Sequence, residues 1–96
     1  MPVKKNKITV RLMGRDYSLL TDQPPERVQS VARYVDRKMR ELQITARVPE
    51  AVLPMLTTLT VGDELFTAQQ ENQRLRRELA QMAQRLSQLE GETTDE

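Results

Sequence analysis

The chain has no cysteine, no histidine and no tryptophan. The first two absences exclude disulfides, thiolate nucleophiles and imidazole bases together. A zinc site would have to be built from carboxylates alone, which zinc does not favour, so no metal or other cofactor is expected. Aromatic residues are nearly missing too: Tyr17, Tyr34 and Phe66 are all there is. A 96-residue chain this poor in large apolar side chains buries only a thin core by itself. With no disulfide or metal to help, association with another chain is the remaining remedy. Glycine is scarce and scattered, at positions 14, 62 and 91, so no phosphate-cradling loop is present. Long apolar runs are absent as well. Ile8 to Met13 is interrupted by Thr9 and Arg11 and is too short for a signal sequence. No stretch approaches the roughly 20 apolar residues of a bilayer span. A cytoplasmic protein without a membrane partner is expected.

What is present is charge, unevenly placed. Residues 1–48 carry eleven Lys and Arg against five acids, a balance of +6, and residues 49–96 carry four Arg against nine acids, a balance of −5. A basic first half favours an acidic partner there.

The order of elements is readable. Residues 1–6 form a loose arm. Ile8, Val10 and Leu12 alternate with Thr9 and Arg11, the period of a half-buried strand. Met13-Gly14-Arg15-Asp16 reads as a turn and Tyr17 to Leu20 as a second strand. A two-stranded hairpin is marginal in water, so a helix or another chain must cover it. Pro24 and Pro25 open that helix. Val28, Val31, Ala32, Val35, Met39 and Leu42 lie on its apolar stripe, while Arg33, Asp36, Arg37 and Arg40 are expected to face solvent. It should end near Ile44, with a loop through Pro49. A second helix opens between Glu50 and Pro54, because proline is tolerated only in a first turn. From there nothing stops the helix before Gly91, and residues 91–96 read as a polar, disordered tail.

That second helix carries the clearest pattern. Leu89, Met82, Leu75, Ala68 and Val61 recur as d positions, and Leu86, Leu79, Asn72, Leu65 and Thr58 as a positions. A heptad sustained this long predicts a coiled coil. It would run ~48 Å, longer than anything in the first half could cover. The stripe must therefore meet another chain. Glu71 against Arg76, Arg85 against Glu90, and Asn72 at an a position suit a parallel two-stranded stalk. An antiparallel four-helix bundle uses the same stripe. Arg74–Glu78 also fits an ordinary pair within one helix.

The expected fold is thus α+β: a head of β-hairpin plus helix over 1–48, then a coiled-coil helix over 49–90. An enzyme is not expected, since Ser18, Ser30 and Ser87 stand in no motif and Asp63 and Glu64 point about 100° apart on a helix. Arg33, Arg37 and Arg40 run along one side of the first helix and could meet phosphates. Asp36 and Glu41 interrupt them, and the segment before the heptads, EAVLPMLTTLTVGDE, is apolar and acidic rather than basic. A coiled-coil nucleic-acid or regulatory adaptor is the alternative reading, and nucleic acid is not the expected partner.

The pieces LMGRDYSLL, PPERVQSVARYVDRKMREL and VLPMLTTLTVGDELF, in that order and running into heptads, resemble the ZapA family. The resemblance covers residues 7–90. Pro54 and Gly62 stand where helix-favouring residues are expected, and Leu59-Thr60-Val61 where the family often reads LNI. The resemblance implies an α/β head and a long helix, dimers through both, and tetramers through the stalks. It implies a non-enzymatic protein at the mid-cell division site that bundles FtsZ filaments and stabilises the ring. Arg15, matching the family's Gly-Arg turn, is the foremost candidate for gripping FtsZ, followed by Arg33, Arg37, Arg40 and Glu50.

Overall fold

The computed structural model describes residues 5–94. Two antiparallel strands come first, β1 (Asn6–Leu12) and β2 (Arg15–Thr21). They are followed by helix α1 (Pro25–Ala46), a 3-10 turn (Glu50–Val52) and helix α2 (Leu53–Thr94). The chain divides into two units, Met1–Leu59 and Thr60–Glu96.

In the first unit, β1 and β2 pair in the register Ile8 with Leu19, Val10 with Tyr17 and Leu12 with Arg15. The register leaves a two-residue turn, Met13-Gly14, shorter than the four residues expected. Arg15 and Asp16 belong to β2. The turn closes because both residues take positive φ, 52° at Met13 and 78° at Gly14. That is the primed geometry whose twist matches a hairpin. Gly14 adopts it freely, whereas a residue with a Cβ carries about 1–2 kcal/mol of strain there. Strand β1 begins at Asn6, inside the expected arm, and residues 1–4 of that arm lie outside the described residues.

Helix α1 packs on β1 and leaves β2 largely uncovered. Ile8, Val10 and Ala32 form the buried core, with Leu12 and Val28 packed against it. The inward positions of β2 stay open, Tyr17 at 47% and Leu19 at 37% exposure, and Val31 of α1 is also exposed. The composition's thin core is therefore realised. Two polar ties fasten α1 to the hairpin. Gln29 Nε2 donates to the Thr9 carbonyl at 2.8 Å, and the Met13 amide donates to Asp36 Oδ1 at 2.7 Å. Helix α1 starts with the Arg27 and Val28 amides on the Pro24 carbonyl and runs two residues past the expected end, to a left-handed cap at Arg47. Leu53 and Thr57, at the start of α2, are buried, and the Thr57 hydroxyl is satisfied by the Leu53 carbonyl at 2.8 Å.

In the second unit α2 continues as one helix. Pro54 falls in its first turn, as proline requires, and Gly62 leaves it unbroken. The helix also passes Gly91 and ends at Thr94, inside the segment expected to be a disordered tail, and residues 95–96 lie outside the described residues. No helix of the described residues is long and apolar enough to cross a membrane.

Candidate functional site

Except for Arg33, Arg37 and Arg40, the expected site residues fall into two groups. The first lies on a cleft of about 680 Å³ in the head, walled by the end of the hairpin, α1, the 3-10 turn and the first turns of α2. Arg15 and Glu50, distant in sequence, both line it. Tyr17, Met39, Leu53 and Thr57 contribute to its walls, and none of the four was singled out from the sequence as a site residue. Tyr17 could have been, because it is an aromatic on a strand that a single helix cannot cover. The cleft is therefore an apolar floor with at least one cation and one carboxylate on its lining.

Arg33, Arg37 and Arg40 do not line this cleft. Each is engaged along α1: Arg33 Nη2 donates to Ser30 Oγ at 3.1 Å, Arg37 lies 5.4 Å from the Tyr34 ring centre, and Arg40 Nε donates to Asp36 Oδ2 at 3.0 Å. Asp36, expected to be one more solvent-facing charge, is instead half-buried and holds the Met13 amide with one oxygen and Arg40 with the other. The Met13 amide, and then the Arg40 guanidinium, hold its carboxyl below the ordinary aspartate value of 3.8.

That depression fixes a sign. A carboxylate with a lowered folded-state pKa contributes stability that is present above its unfolded value and lost as pH falls through the folded one. Thermal melts from pH 6 down to pH 2.5 should therefore show the wild-type protein losing its advantage over an Asp36→Ala variant. The gap should open above about pH 4 and close at the acid end.

The second group is the heptad stripe of α2. Leu65, Leu75, Leu79, Met82, Leu86 and Leu89 are each about half exposed or more, with Leu79 at 68%. Ala68 and Asn72 are exposed too, and Val61 is half-buried. Arg74 spans the flank of the stripe, donating to Glu71 on one side and Glu78 on the other, so Glu71 is engaged within its own helix.

Among the described residues no group of three or more acidic side chains is placed to hold a metal ion. With a long helix whose leucine stripe is open to a second chain, these features define a class: a coiled-coil interaction protein with a small α+β head. Residues 8–93 match the family described as Cell division protein ZapA. The chain is 30% identical over 76 residues to Cell division protein ZapA of Geobacillus kaustophilus, covering 78% of this chain and 84% of that protein. It is 34% identical over 61 residues to the ZapA of Shouchella clausii, covering 62% and 78%. A solved ZapA mutant dimer from Geobacillus stearothermophilus matches with a TM-score of 0.53 at 33% identity, over 79% of this chain and 90% of that one. The chain belongs to the ZapA family of cell division proteins.

Proposed function

We propose that this protein binds FtsZ and crosslinks its filaments at the mid-cell division site in the cytoplasm, without catalysis. Its heads make the contact and its α2 helices hold several heads together, as a dimer and then a tetramer. The observation that carries this reading is the exposed stripe on α2, above all Leu75, Leu79, Met82 and Leu86. A ~50 Å row of half-exposed leucines is stable in water only when another helix covers it. Covering it joins heads, and joined heads turn a weak contact into a firm crosslink because later contacts are intramolecular. The head cleft bearing Arg15 and Glu50 supplies a contact face of mixed charge, and Arg33, Arg37 and Arg40 flank it along α1 as secondary contacts.

The test is low-speed sedimentation of polymerised FtsZ with and without the protein, with negative-stain imaging of the pellet. Bundles that appear only with the protein support the reading. FtsZ that stays as single filaments, with the protein left in the supernatant, removes it. The alternative nucleic-acid adaptor is not favoured by α1, since Asp36 and Glu41 interleave with its arginines and Arg40 is paired with Asp36.

A further inference from the structure

Polar ties fasten the hairpin to α1, and one of them sits at the turn just before Arg15. Gln29 and Asp36 are seven residues apart and so share one face of α1. Gln29 holds the Thr9 carbonyl in mid-strand, and Asp36 holds the Met13 amide at the strand's end. Ala32, between them, packs in the core with Ile8 and Val10. The apolar contact presses the hairpin onto the helix, and the two polar ties set where along the helix it rests.

The turn needs such a tie. Met13 has φ of 52°, a region that Gly or Asn enters readily and methionine does not. Its left-handed backbone brings the amide to within 2.7 Å of Asp36 Oδ1. Arg40 Nε, on the other oxygen at 3.0 Å, keeps the carboxylate turned toward the hairpin. Arg15 is the first residue after the turn, paired with Leu12 across the ladder. If the turn relaxes, the strand twist and register next to it change, and Arg15 is carried with them. Asp36 does not itself line the cleft, so any effect it has there passes through the turn.

We propose that Asp36 is a positioning residue: by holding the Met13 amide it keeps the hairpin turn left-handed and so sets Arg15 in the cleft for contact with FtsZ. This rests on the cleft being the FtsZ-binding face. Without the tie the turn samples other forms, and affinity falls by the fraction of time the competent form is populated.

The experiment is a double-mutant cycle on the full-length protein, read by co-sedimentation with polymerised FtsZ and by hydrogen exchange at the Met13 amide. Asp36→Ala in the wild-type background should weaken binding about tenfold and speed exchange at Met13, with the oligomeric state unchanged. In a Met13→Asn background the turn holds itself, because Asn-Gly favours the primed geometry, and the Asp36→Ala loss should shrink to about twofold or less. An Asp36→Asn variant, which keeps an acceptor for the amide, should bind within about threefold of wild type. Asp36→Leu, close in shape and without an acceptor, replaces the alanine in the cycle if the alanine variant does not fold. A loss of equal size in both backgrounds, or an Asp36→Asn variant as weak as Arg15→Glu, overturns the proposal. So does undiminished binding by Asp36→Ala while Arg15→Glu binds poorly. Undiminished binding by Arg15→Glu overturns the reading of the cleft itself, and the proposal with it.

Discussion

A Leu79→Glu variant is expected to leave the oligomer and to lose filament bundling while its head stays folded. Leu79 sits in the middle of the stripe at an a position and is 68% exposed in the single chain. Covering such a leucine with a partner helix is worth about 1.5–3 kcal/mol per chain. Glutamate forfeits that gain and adds the cost of a carboxylate in an apolar seam, where like charges from each chain would meet. Symmetry repeats the penalty in every chain, so one substitution removes several kcal/mol from the assembly, on the order of a thousandfold or more in its association constant. Ile8, Val10 and Ala32, which form the head's core, are far from it in sequence. Sedimentation velocity should show a smaller species, circular dichroism should retain the head's signal, and negative stain should show FtsZ filaments lying singly. An oligomer of unchanged size would mean that the stripe is not the seam.

Arg15→Glu should do the converse: keep the oligomer and lose the filament. Arg15 is exposed and lies on the cleft with Glu50. A single reversed charge at a wet contact changes binding by roughly 1 kcal/mol, or about fivefold. In the proposed crosslink several heads would engage one bundle, and the loss would compound with each contact that would have been intramolecular. Co-pelleting with FtsZ should therefore fall by more than tenfold, and sedimentation velocity in its absence should be unchanged. The remaining binding should also weaken steeply with salt, as exposed charge contacts do. Binding that survives the reversal intact would place the gripping surface elsewhere on the head.

Much of this architecture is legible in the residues, for identifiable reasons. The alternation Ile8, Val10, Leu12 and the heptads from Val61 to Leu89 are periodic, and periodicity survives without knowledge of tertiary contacts. The pair Pro24-Pro25 and the single Pro54 mark the helix starts because proline's missing amide restricts where it can stand. What escaped depends on contacts between distant segments. A four-residue turn is the natural reading of Met-Gly-Arg-Asp, since nothing local says that methionine will enter the left-handed region. It does so where Asp36, more than twenty residues on, accepts its amide. The same Asp36, read along its own helix, is one more charge among arginines. The cleft was hidden likewise: Arg15 and Glu50 come together only because α1 folds back over β1 and the 3-10 turn follows. At the far end, Gly91 looks like a stop but leaves the helix intact to Thr94, since one glycine costs only about 1 kcal/mol.

The core of Ile8, Val10 and Ala32, with Tyr17 and Leu19 left open beside it, bears on how much of the protein a cell must hold. A chain whose apolar surface is closed by a second copy has no single melting temperature. Its folded fraction follows mass action and rises with its own abundance. Dilution then exposes leucine and tyrosine to proteases and chaperones, which remove stray subunits. Crosslinkers would persist where they are numerous enough to pair and disappear where they are not. The poverty of the core, a weakness in an isolated chain, would thus set a threshold on the dose of the assembled one.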